Sequence, residues 1–132
     1  MQESNATEGA AVVVAMLAAL ERYQASFDTS IAAWFDRGSC RRAAGDLDEL
    51  RHLARAVPQL GADMLDLTMR HAQVLQLLLK SMQRAAGATE VQALSRQHRG
   101  AVERVKLRCV RLLAVRTSVG EHAPPHPFDS IA

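Results

Sequence analysis

The chain is poor in the residues that favour β-strands and tight turns. Its 132 residues include one Trp, one Tyr and three Phe, and only seven Gly and four Pro. Most of the remainder is Ala, Leu, Arg, Gln, Glu and Met, all of which favour helices. The composition therefore predicts an all-α protein. The length is sufficient for one domain whose core needs neither disulfides nor metal.

Motifs for catalysis and for metal binding are also missing. The two cysteines, Cys40 and Cys109, lack a CxxC or Cys/His ligand spacing, and neither has a histidine one helical turn away. The sequence contains no glycine-rich phosphate-binding loop and no catalytic pair of carboxylates. We therefore expect no enzymatic activity, no metal site, no cofactor, and reduced thiols in the cytoplasm.

The apolar run from Ala10 to Leu20 lacks the features of a targeting segment. Glu3 and Glu8 precede it without any Lys or Arg, so the basic region of a secretory signal is missing. The run is also shorter than the ~20 residues that a membrane-spanning helix needs. The sequence predicts the buried start of a helix and no transmembrane segment.

The first predicted helix begins at a capping box formed by Asn5 and Glu8. Apolar residues then recur at seven-residue intervals, at Val13, Leu20, Phe27 and Trp34. This spacing predicts a seam like that of a coiled coil. We expect the aromatic residues of this helix to fill a bundle core, because no polar residues converge beside them in the sequence.

The longest apolar stripe has the helical spacing of three and four residues. It comprises Leu60, Met64, Leu67, His71, Val74, Leu78 and Met82. Further leucines at Leu75 and Leu79 place apolar side chains on nearly every side, so this helix requires several neighbours. Together with the seam of the first helix, it predicts self-association, with a dimer as the simplest outcome.

Turn and cap residues divide the chain into four helices, predicted at 8–37, 46–57, 59–85 and 90–117. Gly38 and Ser39 end the first helix, and Asp46 with Glu49 caps the second. Pro58 either stops the second helix or kinks it into the third. We predict an antiparallel bundle of three long helices and one short helix over residues 1–117, followed by a Pro-rich, disordered tail over 118–132.

The fourth predicted helix is strongly basic. Residues 96–132 hold seven basic and three acidic side chains, whereas residues 1–95 hold nine and eleven. No aromatic residues are interleaved to stack on bases, and no helix-turn-helix pattern occurs, which argues against nucleic acid. We predict a solvated or partner-facing basic patch that comprises Arg96, Arg99, Arg104, Arg108 and Arg111.

Two polar pairs within the helices have simple interpretations. His71 and His98 both lie in apolar stripes, and antiparallel pairing offsets them by about one helical turn. We expect each ring to reach water or a backbone group rather than a metal. Asp63 and Asp66 lie on the side of Arg70, where an i,i+4 ion pair from Asp66 is expected.

One family resemblance extends over roughly residues 17–113. The segment Gly61–Gln76, the Ala/Gly break at Ala85–Ala88 and the following Val91–Leu94 with Gln97 resemble phasins, helical proteins that coat polyhydroxyalkanoate granules. The segment Leu20–Phe27 resembles the first amphipathic helix of the same family. The resemblance implies a helical protein without catalytic residues that adsorbs to a hydrophobic surface through an apolar face.

Two functional hypotheses follow. In the first, the protein is a phasin-like coat whose apolar face covers a granule or self-associates; this face comprises Val13, Leu20, Phe27, Trp34, Leu60, Met64, Leu67, Val74, Leu75, Leu78 and Met82. In the second, it is a small bacterial adaptor, secretion chaperone or anti-activator that binds a partner protein in a groove between helices. A coat is expected to have opened helices, and a binder a closed bundle with one concave patch.

Overall fold

The structure is a computed structural model that describes the backbone at residues 2–33, 36–84 and 88–122, and side chains at 9–33, 36–80 and 89–115. Most of these residues lie in four α-helices: α1 (Gln2–Ala32), α2 (Arg37–Ala54), α3 (Gly61–Arg84) and α4 (Ala88–His122). A short 3₁₀ helix, Pro58–Leu60, joins α2 to α3. No strand occurs among them, and the prediction of an all-α bundle is confirmed.

Contacts between helices give an antiparallel, up-and-down arrangement. Arg22 and Ser26 of α1 bond to Glu49 and Asp46 of α2, so residue numbers run in opposite directions along the pair. In the same way, Asp63 and Asp66 of α3 pair with Arg108 and Arg104 of α4. The C-terminal part of α1 packs on the N-terminal part of α4, which closes the bundle.

The junction between α1 and α2 differs from the prediction. Helix α1 ends at Ala32, and α2 already begins at Arg37 because Asp36 caps it, accepting hydrogen bonds from the backbone N–H of Gly38 and Ser39. The Ser39 hydroxyl also donates to this carboxylate, and that bond, followed by the two backbone bonds, lowers the pKa of Asp36. Gly38 and Ser39, predicted to end a helix, therefore start one. Asp46, predicted as a cap, lies inside α2.

Pro58 lies in a break between α2 and α3 and does not kink one continuous helix. Helix α2 ends at Ala54, and Pro58 starts the 3₁₀ turn, whose last residue immediately precedes α3. A proline fits this position because the first residues of a helical turn need no N–H partner. Two helices extend beyond the prediction: α1 begins before residue 8, and α4 runs from Ala88 through His122, past residue 117, whereas α3 lies within the predicted range 59–85. The rest of the predicted tail, 123–132, lies outside the described residues.

The core is built from the predicted stripes. The described members of the α3 stripe are all buried: Leu60, Met64, Leu67, His71, Val74 and Leu78. Val13, Leu20 and Phe27 of α1 are also buried, within the bundle of this same chain. The α1 seam, offered by the sequence as a reason for self-association, is therefore covered by the protein's own helices. The side chains of Trp34 and Met82 lie outside the described residues.

Helix α1 also contains a segment that is long and apolar enough to cross a membrane. This segment, Gly9–Ala32, has a mean hydropathy of 1.2. It is longer than the run Ala10–Leu20 that the sequence prediction considered. Length and composition alone do not distinguish a membrane span from the core helix of a soluble bundle, and the buried face of α1 packs against α2 and α4 in this structure.

Candidate functional site

Three helices bring one tyrosine and two histidines together in the core. The hydroxyl of Tyr23 on α1 lies 2.6 Å from Nδ1 of His71 on α3 and 2.7 Å from Nε2 of His98 on α4. The two imidazole rings are 6.3 Å apart, with the tyrosine hydroxyl bridging them. We call these three residues the Tyr–His–His cluster. The expectation that each histidine reaches water or a backbone group is wrong for the nitrogens that face Tyr23.

Proton counting fixes the most favourable arrangement of this cluster. A phenol has one proton, so Tyr23 donates to one ring nitrogen and accepts an N–H from the other. Nδ1 of His98 is buried without a hydrogen-bond partner. If Nε2 of His98 donates to Tyr23, that Nδ1 is a bare acceptor rather than an orphaned N–H, and Tyr23 then donates to Nδ1 of His71. This arrangement leaves the smallest unpaired polar group in the core.

Burial keeps every member of the cluster neutral. Desolvation, followed by the charges of His71 and Arg99, lowers the pKa of His98 to about 3. Burial also lowers the pKa of His71 and raises the pKa of Tyr23 far above its usual range. Phe27 stacks on the His98 ring with centroids 3.6 Å apart, an arrangement that suits a neutral imidazole in an apolar layer.

The centre of the cluster is closed to solvent. Tyr23 and His98 have no exposed surface, so a solvent-borne substrate has no route to them in this conformation. Among the described side chains, no three His, Cys, Asp or Glu lie close enough to hold a metal ion. Burial and the charge of Asp63 raise the pKa of Cys109 to about 11, which makes this thiol a poor nucleophile.

An apolar groove lies directly beside the cluster, between the end of α1 and the start of α4. Its volume is about 540 Å³. Phe27, which stacks on His98, forms part of its wall, and Ile31, Ala32 and Val91 supply further apolar surface. The other lining residues are polar or charged: Asp28, Gln92, Ser95, Arg96 and Arg99. We call this cavity the α1–α4 groove.

The polar residues of the α1–α4 groove are unequally satisfied. Asp28 accepts a hydrogen bond from the Gln24 amide at 2.8 Å and pairs with Arg99 at 3.4 Å. Arg96 has no acidic partner among the described side chains and is exposed. The hydroxyl of Ser95 is buried and has no hydrogen-bond partner there. The groove therefore combines an apolar wall with one uncompensated cation and one unused hydroxyl.

The predicted basic patch is divided by the structure. Arg104 pairs with Asp66 at 2.7 Å and Arg108 with Asp63 at 3.2 Å, so both link α4 to α3. Asp66 also makes the predicted ion pair with Arg70, at 3.5 Å. Of the five predicted arginines, Arg96 and Arg99 line the groove, and Arg111 is exposed further along α4. The five residues thus differ in their partners, and a partner-facing role for them stays a prediction.

The predicted apolar interaction face is largely inside the protein. Its described members are buried except for Leu75, which is half-buried, so the closed bundle does not offer them to a partner. The apolar residues that are exposed were not part of that prediction: Val14, Leu65, Met69, Leu79, Leu107, Val110 and Val115. For Leu65, Met69 and Leu79, the signal in the sequence is an apolar residue on the face of α3 opposite its buried stripe. The sequence analysis did not predict a groove at Ile31 and Ser95.

Comparisons with protein-family models, with curated proteins and with solved structures find no match to this chain. Function is therefore inferred from the geometry of the bundle and its surfaces.

Proposed function

We propose that this protein is a non-catalytic adaptor that binds a helical segment of a partner protein in the α1–α4 groove. The observation that carries this proposal is the combination of an apolar wall and an uncompensated basic rim at one end of a closed bundle. Peptide helices bind such grooves by inserting apolar anchors spaced three and four residues apart. A closed helical bundle with a concave patch is what is expected of a protein that binds a partner segment.

The chemistry of the groove defines the partner segment. Phe27, Ile31 and Val91 accept aliphatic or aromatic anchors. Arg96, which is exposed on the rim, can donate hydrogen bonds to a carboxylate, and such charge-assisted bonds are stronger than those between neutral groups. The partner segment is therefore an amphipathic helix with an acidic residue beside its apolar face. We place this interaction in the cytoplasm, where the two free cysteines stay reduced.

Charge reversal in the groove tests the proposal. We expect co-purification under native conditions to recover one stoichiometric partner, and Arg96→Glu to abolish its recovery. Arg111→Glu is the matched control, because Arg111 is exposed on the same helix, about 22 Å further along its axis. Circular dichroism checks that both variants keep their helices. Equal loss with both variants, or no stoichiometric partner, contradicts the proposal.

Mapping the partner's contact segment makes the test more specific. A synthetic peptide of that segment is titrated into the protein, and NMR chemical shifts are recorded at Ile31, Val91 and Ser95. Replacing the acidic residue of the peptide by its amide is expected to weaken binding about tenfold or more, in line with the loss of a charge-assisted hydrogen bond. Shifts confined to other surfaces would place the interaction elsewhere.

A phasin-like coat is the second candidate function. The observation in its favour is the set of large apolar side chains exposed on α1, α3 and α4, such as Val14, Met69 and Val110. A coat requires the bundle to open so that its buried stripes spread over the granule. Partition of the purified protein to polyester or lipid droplets, with no protein partner recovered, is the result that would favour the coat over the adaptor.

A further inference from the structure

The outer face of α3 carries a second, regular stripe that the bundle leaves open. Its members are exposed and follow the spacing 3-4-3-4-3: Ala62, Leu65, Met69, Ala72, Gln76 and Leu79. The exposed fractions of Leu65, Met69 and Leu79 are 63%, 54% and 64%. The opposite face of the helix, with Leu67 and Val74, is fully buried. We call the outer stripe the α3 seam.

The spacing of the α3 seam fits a second helix better than a flat apolar surface. Alternation of three and four residues is the a/d pattern of a coiled coil, in which side chains of one helix fill holes on another. A helix that adsorbs to a surface presents a wider apolar face. Here polar residues border the seam, with Asp66, Gln73 and Lys80 on the side of α4 and Thr68 on the other.

Gln76 also argues for a paired helix. It occupies a core position of the seam, where a polar side chain lowers the stability of a coiled coil but selects its register and partner. Adsorption to a continuous apolar phase would bury the same amide without a hydrogen-bond partner, which costs free energy. A second protein helix can offer backbone or side-chain groups to that amide.

We propose that two copies of this chain dimerise by packing their α3 seams against each other in antiparallel orientation. In this register Met69 lies opposite Leu79 of the second copy, and Ala72 lies opposite Gln76. The small Ala72 leaves room for the longer amide. Leu75, which is half-buried at the edge of the seam, lies next to the two-fold axis and extends the apolar contact there.

Charge distribution favours the antiparallel over the parallel orientation. Lys80 and Asp66 lie at opposite ends of the same edge of the seam. An antiparallel dimer brings Lys80 of one copy towards Asp66 of the other, whereas a parallel dimer places these two residues on opposite sides of the interface. Asp66 also accepts Arg70 and Arg104, and its side chain remains 36% exposed. Antiparallel helices also align their macrodipoles favourably.

A single helix pair buries little surface compared with a permanent dimer, so we expect micromolar rather than nanomolar affinity. Sedimentation equilibrium of the full chain across that concentration range is the direct measurement. Met69→Lys and Leu79→Glu are each expected to raise the dimer dissociation constant about tenfold or more. The reason is that each substitution places one charge from each copy, two in all, in the dimer interface. Both side chains are over half exposed, and circular dichroism checks that the fold is kept.

Mixing the two variants tests the orientation. In an antiparallel dimer, the new Lys at 69 faces the new Glu at 79, while the other pair keeps its original Met and Leu. An equimolar mixture is therefore expected to dimerise more tightly than either variant alone. In a parallel dimer, position 69 faces position 69, so mixing separates like charges but brings no Lys opposite a Glu, and the gain is expected to be smaller.

Leu107→Glu is the matched control, since Leu107 is 50% exposed on α4 and lies outside the seam. It is expected to leave the dimer unchanged. A monomeric wild-type protein, or an equal effect of Leu107→Glu, would overturn the proposal. Failure of the mixed variants to associate would overturn the antiparallel register. None of these measurements involves the α1–α4 groove, so they are independent of partner binding there.

Discussion

The two halves of the bundle core are stabilised by different kinds of interaction. At one end, aliphatic side chains from α1, α2, the 3₁₀ helix and α4 meet, among them Leu20, Leu50, Leu60 and Val105. At the other end, the Tyr–His–His cluster and Phe27 form a polar and aromatic layer beside the α1–α4 groove. Aliphatic contacts are non-directional and tolerate small shifts of one helix past another. Hydrogen bonds between three helices do not tolerate such shifts, so the polar layer fixes the register of α1, α3 and α4 where the groove is formed.

The largest effect is expected from removing the hydroxyl that joins the cluster. Tyr23→Phe keeps the ring but leaves Nδ1 of His71 and Nε2 of His98 buried without partners, which costs about 3 kcal/mol of unfolding free energy. Chemical denaturation followed by circular dichroism measures this loss. Leu67→Met in the aliphatic half is the control, with an expected cost of about 1 kcal/mol. Equal costs for the two variants would remove the distinction between the halves.

A triple variant tests whether the polar layer matters for stability or for register. Tyr23→Phe combined with His71→Leu and His98→Leu replaces all three polar groups by apolar ones. It is expected to recover most of the loss seen for Tyr23→Phe alone, because no polar group of the cluster is left unpaired. Amide exchange near the groove is then expected to be faster than in the wild type, since the directional contacts are gone.

The second prediction concerns pH. The folded-state pKa of His98 is about 3, below the 6.5 of the unfolded chain, so the unfolded state binds more protons between these values. Stability is therefore fully present above pH 6.5 and falls as the pH is lowered through this window. From pH 7 to pH 5, His98 alone contributes a loss of about 2 kcal/mol. The lowered pKa of His71 adds a loss of the same sign.

Denaturation at a series of pH values measures this loss, and the triple variant is its control. Because that variant has no buried histidine among the described side chains, its stability is expected to change much less between pH 7 and pH 5. The exposed His52 is present in both proteins. An identical pH dependence in the wild type and the triple variant would show that the cluster does not titrate on unfolding.

The smallest effect is expected at the surface ion pairs that join α3 to α4. Arg104 and Asp66 are 55% and 36% exposed, and exposed pairs contribute about 0.2–1 kcal/mol. Arg104→Ala is therefore expected to cost less than about 1 kcal/mol, and added salt is expected to reduce the difference from wild type. A double-mutant cycle with Asp66→Asn isolates the pair. A coupling as large as the effect of Tyr23→Phe would contradict the comparison.

The sequence predicted which residues are buried better than where helices begin. The spacing of Leu60, Leu67 and Val74 identified a buried face because burial follows helical periodicity directly. The start of α2 was missed because Asp46 and Glu49 form a capping-box pattern, whereas the actual cap, Asp36, is followed three residues later by Ser39. Only the fold decides between them, since Asp46 instead accepts a hydrogen bond from Ser26 of α1.

The candidate site was less predictable than the fold. The sequence placed His71 and His98 on facing helices but gave them no shared partner, because Tyr23 is distant in sequence and shares no motif with them. The predicted basic patch treated five arginines of one helix as equivalent. Their roles separate only when α1 and α3 supply Asp28, Asp63 and Asp66 to some of them.

The sequence by itself determined the helical composition, the antiparallel order and the stripes that form the core, because these depend on local propensity and on periodicity. Tertiary structure alone decided that the α1 seam is used inside the chain while the α3 seam remains open, and that the Tyr–His–His cluster lies beside an apolar groove. The physical reason is that burial of one helix face depends on which other helices lie against it. Hydrogen-bond and ion-pair partners are likewise chosen by contacts between residues distant in the sequence.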